Sequence, residues 1–125
     1  MALKESGEMY LETILLLSRQ KPFVRAIDVV EQMGFSKPSV SRALAKLREE
    51  GFLLVAEDGH LSLTDSGRAL AEKVYERHTV LTAILTQLGV DSETAAADAC
   101  KIEHVISDAT FAAMKRHLTM YEKQK

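Results

Sequence analysis

The chain has 125 residues, 46% of them hydrophobic and 27% charged, with two Pro, six Gly and one Cys; this suits one compact domain or two small units and excludes a low-complexity array or a large multidomain enzyme. With 16 Lys and Arg against 18 Asp and Glu the net charge is −2, so no global positive field draws the chain to nucleic acid and any DNA-reading surface must be local. One cysteine cannot form an internal disulfide, the N-terminal segment lacks a signal sequence's apolar stretch, and the longest apolar run, Ile14 to Leu17, falls far short of the roughly 20 residues a membrane span needs; the expected location is the cytoplasm, with no membrane partner.

From about Ser6 to Arg19 aliphatic side chains recur at helical spacing (Tyr10, Leu11, Ile14, Leu15, Leu17), and Lys21-Pro22 ends the run. A short amphipathic segment follows, with Ile27, Val30 and Met33 expected on its inner face and Gly34 closing it, since glycine accepts the positive φ of a helix terminus. Ser36 caps the next helix, Pro38 fits its first turn, and Val40, Leu44 and Leu47 form the inward stripe until Gly51. Two apolar segments, Phe52–Val55 and Leu61–Leu63, flank an Asp58-Gly59 pair and predict a β-hairpin. A hairpin directly after a helix-turn-helix is a wing. Thr64 or Asp65 opens a long helix with Leu70, Val74, Leu81, Ile84, Leu85 and Leu88 expected inward, ending at Gly89, and two more helices start near Asp91 or Ser92 and near Ser107. The fold class is therefore mostly α, an N-terminal winged helix-turn-helix over residues 1–70 followed by a helical domain over 71–125, with no flexible joint.

The stripe Val40, Leu44, Leu47 turns Ser39, Arg42 and Lys46 outward, with Pro38 and Ser41 beside them. Lys37, Arg42, Lys46 and Arg48 concentrate positive charge on one helix, and small side chains at Ser36, Pro38 and Ser39 let a phosphate approach the backbone. Charge alone fits an ordinary solvated helix face; the preceding helix, tight turn and following wing tip the reading to double-stranded DNA. Arg42 is the candidate for base contact, because a forked guanidinium bridges two acceptors of guanine. His60, expected at the wing tip, fits either a phosphate contact or a plain turn residue.

In Ala99-Cys100-Lys101-Ile102-Glu103-His104, positions i, i+3 and i+4 share a helix face, so sulfur, oxygen and nitrogen donors converge. His78 lies near the inward stripe of the long helix, and Met9 and Glu12 share a face of the first; each is a further candidate ligand. Each alone is more simply a core or surface residue, and only the triplet raises the metal reading. Mixed S, N and O donors suit a first-row divalent ion better than Ca(II) or Mg(II).

Six segments in this order, Glu8-Met9-Tyr10-Leu11, Ser36 to Ser41, Leu63-Thr64, Arg77-His78, Leu88-Gly89-Val90 and Ala99-Cys100 with Glu103 to Ser107, make the chain similar to the diphtheria toxin repressor family, including its manganese transport regulator branch, over nearly its whole length. The resemblance implies a divalent-metal-activated repressor, homodimeric through its C-terminal helices, that binds a palindromic operator and controls metal homeostasis. It implies Met9, Cys100, Glu103 and His104 as the iron branch's primary ligands and His78 as a ligand of its ancillary site, where Thr82 and Ala96 stand in place of the family's acidic and histidine residues. The manganese branch expects Asp at Met9 and Glu at Cys100 but shares Glu12, His78, Glu103 and His104, so Fe(II) is favoured and Mn(II) stays open. Since the chain ends at Lys125, a short form without the SH3-like domain of some members is expected. The resemblance also suggests how metal reaches DNA: ligands from the first helix and from the C-terminal half would be joined, favouring one arrangement of the reading units.

Two other functions compete. One is a winged-helix regulator answering to a small organic ligand, as MarR-like proteins do. The other, a zinc hydrolase with Glu103 as base, is disfavoured because the ligands sit among core stripes without oxyanion donors.

Overall fold

The computed structural model describes residues 5–123; residues 1–4 and 124–125, which belong to the N- and C-terminal segments read above, lie outside the described residues. Six helices and one hairpin follow in the expected order: α1 Glu5–Gln20, α2 Ala26–Met33, α3 Lys37–Glu49, β1 Leu53–Val55, β2 Leu61–Leu63, α4 Asp65–Gln87, α5 Ser92–Ile102 and α6 Asp108–Lys123. They form two compact units, one running to Glu72 and one from Lys73, so that α4 belongs in part to each. No helix among the described residues is long and apolar enough to cross a membrane.

The first unit is built on α1, whose Leu11, Ile14 and Leu15 are completely buried together with Val24, Val29, Val40 and Leu53. Full burial of each such side chain favours folding by roughly 1.5–3 kcal/mol, which fixes α1 as the central element. In α2 the buried residue is Val29, while Ile27 is 44% exposed, a correction to the expected inner face. Two residues turn a helix by roughly 200°, so Val29 and Ile27 cannot both point inward. The Arg25 N–H donates to Asp28 Oδ2 at 2.9 Å, and Lys21 pairs with the other oxygen. The Lys21 hydrogen bond, with that N–H, holds the Asp28 carboxyl below its usual range.

β1 and β2 pair antiparallel in the register Leu53 to Leu63, Leu54 to Ser62 and Val55 to Leu61. The Leu61 N–H also donates to the Val24 carbonyl at 2.7 Å, tying the hairpin to the segment before α2. The helix α4 begins against the same hairpin. Thr64 Oγ1 donates to the Gly51 carbonyl at 2.7 Å and accepts from the Gly67 N–H at 3.0 Å, a side-chain cap that satisfies an orphan donor of the first turn. A Cβ at Gly67 would stand 2.1 Å from the Phe52 carbonyl oxygen.

Gly67→Ala is therefore expected to destabilise the first unit, although alanine in a helix interior is ordinarily better than glycine by about 1 kcal/mol. The clash is with backbone, which yields only by shifting the hairpin, and overpacking of this kind costs about 1–3 kcal/mol or more. Urea denaturation checks it: the midpoint falls, and an unchanged or raised midpoint would refute the close approach.

In the second unit Val80, Ile84, Phe111 and Leu118 form a core, joined by the partly buried Ala83, Ile106 and Met114. Ala95 and Ala99 are completely buried, their small side chains letting α5 pack closely. Asp91 caps α5 by accepting the Thr94 N–H at 3.0 Å, a bond that lowers the Asp91 carboxyl pKa. Ser107 does the same for α6 through the Thr110 N–H at 3.1 Å. Leu88, expected on the inward stripe of α4, is 76% exposed; α4 stops at Gln87, and Gly89, at φ 103°, turns the chain away from the helix line. Along α6, Phe111 in the first turn and Leu118 further on are core, while Tyr121 near the end is exposed.

Candidate metal centre and DNA-reading helix

Regular helix α5 stops at Ile102, one residue before the donor-bearing pair. Glu103 nevertheless keeps helical backbone angles (φ −58°, ψ −24°) and its N–H donates to the Ala99 carbonyl at 2.9 Å, so the i, i+3, i+4 relation survives into the turn. Cys100 Sγ, a Glu103 carboxylate oxygen and a His104 ring nitrogen accordingly lie within 4.8 Å of one another. The Glu103 side chain is completely buried, as is that of His104. His78 Nδ1 lies 2.9 Å from Glu103 Oε2, and His104 Nε2 lies 3.3 Å from Glu103 Oε1. A carboxylate taken out of water costs several kcal/mol unless paired, and two imidazoles bracket this one. Sulfur, carboxylate oxygen and imidazole nitrogen gathered around a buried anionic group are the donors a first-row divalent ion takes, so the residues present fit such an ion.

Of the other expected ligands, Met9 and Glu12 stand three residues apart on α1, both half-buried. Glu12 Oε2 is buried and without a hydrogen-bond partner. Thr82, at the position where the resemblance expects an acidic ligand, donates its hydroxyl to the His78 carbonyl at 2.7 Å. Ala96 offers no donor.

Arg77 is the residue that periodicity did not single out. It is buried, and its Nη1 donates to the carbonyls of Glu103 at 3.2 Å and Ile106 at 2.7 Å, while Nη2 pairs with Asp108. The guanidinium carbon lies 5.5 Å from the centre of the Phe111 ring. Lys73 also reaches Asp108, at 3.2 Å; its hydrogen bond, with a smaller share from Arg77, holds the Asp108 carboxyl below the usual range. A charged residue on the stripe between Val74 and Leu81 was the available signal.

On α3 the inward residues are Val40, Leu44 and Leu47, all buried. Ser36 caps the helix: its Oγ accepts the Ser39 N–H at 3.3 Å and donates to Ser39 Oγ at 2.9 Å. Arg42 Nη2 reaches Ser39 Oγ at 3.5 Å. Lys37, Pro38, Ser41, Arg42 and Lys46 are exposed and Ser39 is half-buried. His60 is drawn back from the tip of the wing, its ring standing edge-on against Phe23 at 5.1 Å between centroids. The tip itself carries Glu57, Asp58 and Gly59, with Asp58 Oδ1 accepting the His60 N–H at 3.0 Å.

Residues 2–61 match the family described as iron dependent repressor, N-terminal DNA binding domain, and residues 64–124 match the iron dependent repressor, metal binding and dimerisation domain. The iron-dependent repressor IdeR of Mycobacterium tuberculosis (strain ATCC 25618 / H37Rv) is 36% identical over 107 residues, covering 85% of this chain and 46% of that protein. The diphtheria toxin repressor of Corynebacterium diphtheriae is 35% identical, covering 85% and 47%. Among solved structures, the manganese regulator SloR superposes with a TM-score of 0.81 at 27% identity, over 95% of this chain and 55% of that one. A manganese-dependent transcriptional repressor in complex with manganese does so with a TM-score of 0.81 at 28% identity, over 90% and 52%. The chain spans about half the length of the curated relatives it matches.

Proposed function

The chain belongs to the iron dependent repressor family, and on that premise we propose that it is a metal-dependent, DNA-binding transcriptional repressor of metal homeostasis, acting as a homodimer in the cytoplasm, and a regulator rather than an enzyme. The observation that carries the reading is the convergence of Cys100, Glu103 and His104 within 4.8 Å about a completely buried carboxylate. These three would hold the ion, with His78 beside Glu103, and Met9 and Glu12 are the further donors we assign; the buried, unpartnered Oε2 of Glu12 supports its inclusion. Bound there, a divalent cation would supply positive charge beside the buried Glu103 carboxylate and would be ligated by Cys100 as its thiolate. The thioether of Met9 and the sulfur of Cys100 favour Fe(II), and Mn(II) is the alternative.

Ser36, Lys37, Pro38, Ser39, Ser41, Arg42 and Lys46 form the DNA-reading surface of this proposal, with His60 as an outlying contact. Exposure of Arg42 and Lys46 on the face opposite the buried stripe of α3 supports it. Arg42→Ala is expected to weaken specific binding more than random-sequence binding, by about 1–3 kcal/mol of discrimination, whereas Lys46→Ala weakens both alike. Titrations of both variants against the two kinds of duplex check this; equal losses throughout would remove the assignment of roles.

Selection of duplexes from a random pool, run anaerobically with Fe(II) and with chelator, tests the whole reading. It predicts a palindromic site enriched only with metal, and a protein species of twice the chain's mass on that site in sedimentation, because two recognition helices related by a two-fold axis read two half-sites. No metal-dependent enrichment, or a monomer on the site, would count against it. A metal-independent site that a small organic molecule releases would instead favour the MarR-like alternative.

A further inference from the structure

The turn that carries Glu103 and His104 leaves the regular helix and keeps only part of its hydrogen-bond ladder. The N–H groups of Val105 and Ile106 both donate to the Ile102 carbonyl, each at 3.0 Å, and the carbonyls of Glu103 and Ile106 look instead to the guanidinium of Arg77. Successive positions of one helical turn therefore grip Glu103 twice: Arg77 holds its backbone, and His78 lies 2.9 Å from its carboxylate. The guanidinium is fixed in turn by Asp108, the first residue of α6, and by the Phe111 ring.

Stability alone does not account for an arginine here. Its Nε is buried without a hydrogen-bond partner, and a buried charge is commonly matched or bettered in stability by an apolar residue of similar volume. Position 77 lies on a stripe where Val74 and Leu81 are buried, so an apolar side chain would suit the core. The planar guanidinium, unlike a flexible ammonium, presents donors in a rigid fork, and a fork is what holds two carbonyls and a carboxylate in one fixed arrangement.

We propose that Arg77 is a positioning residue of the metal centre: by bracing the turn from Glu103 to Ile106 against the start of α6, it pre-sets the donor atoms of Glu103 and His104 relative to Cys100. This rests on the metal-dependent reading above. Groups that orient metal ligands typically contribute about 10–100-fold in affinity, because a site that must be assembled at each binding event spends part of its interaction energy on ordering.

The test uses the full chain and Co(II) alone as probe, read by chelator competition and by the visible ligand-field spectrum. Arg77→Met is expected to weaken Co(II) binding by about 10–100-fold and to shift the absorption bands, with Arg77→Lys intermediate in both. Leu118→Ala, a core substitution in the same unit, loses stability in urea but keeps the wild-type Co(II) affinity and spectrum. Wild-type-like affinity and bands in Arg77→Met, or the same spectral change in Leu118→Ala, overturn the proposal. If circular dichroism shows Arg77→Met unfolded, Arg77→Lys decides: weakened binding supports a positioning role, unchanged binding overturns it. A wild-type chain that takes up no Co(II) instead overturns the metal-dependent reading on which the proposal stands.

Discussion

His104→Ala is expected to reduce operator binding in the presence of Fe(II) to the level of random-sequence binding while leaving the fold and the dimer in place. The imidazole is completely buried and lies 3.3 Å from Glu103 Oε1, so its removal deletes a donor and one of the two groups bracketing the carboxylate. Loss of a direct ligand should exceed the roughly 10–100-fold that follows loss of a group merely orienting one. The stability cost is smaller in consequence. His78 still lies 2.9 Å from the other carboxylate oxygen, and a buried group left partly unsatisfied costs about 1–3 kcal/mol, within what a small domain tolerates. Anaerobic DNA-binding titration alongside urea denaturation separates the two effects. Retained metal-dependent binding in His104→Ala would show that the centre lies elsewhere.

Two of the proposed donors are expected to distinguish the ions. Met9→Asp combined with Cys100→Glu replaces two soft sulfur donors with hard carboxylate oxygens, and this is expected to move the order of activating metals from Fe(II) toward Mn(II). Both residues are half-buried, whereas the fully buried side chains beside them in sequence are Leu11, Ile14, Ala95 and Ala99. DNA binding measured across a panel of divalent ions reads the order directly. An unchanged order would mean that the sulfur atoms do not set metal preference.

Local periodicity carried much of this structure. The stripe Val40, Leu44, Leu47 fixed which side of α3 is buried, and with it which side offers Arg42 and Lys46, because one helix of known period has only one such solution. The donor triplet was legible for the same reason: spacing of three and four residues brings side chains together whether or not the helix continues, and Glu103 keeps helical angles after α5 has ended. What could not be read depends on pairings distant along the chain. Arg77 meets Glu103, Ile106 and Asp108, 26 to 31 positions later, and no local pattern encodes that meeting. His60 illustrates the same point from the other side: proximity to an Asp-Gly turn suggested a wing tip, whereas a ring contact with Phe23 holds the side chain back. Short helices misled too, since the eight residues of α2 give too few turns to tell a face centred on Val29 from one containing Ile27.

The central claim is that occupation of the Cys100, Glu103, His104 centre governs operator binding, and one titration tests it most directly. The wild-type chain is bound anaerobically to its selected palindrome with Fe(II), then stripped with excess chelator, and fluorescence anisotropy of the labelled duplex is followed throughout. Affinity should fall toward that for random DNA, a loss on the order of 10³-fold or more, and return when Fe(II) is restored. Equal operator binding before and after exhaustive chelation would contradict the account.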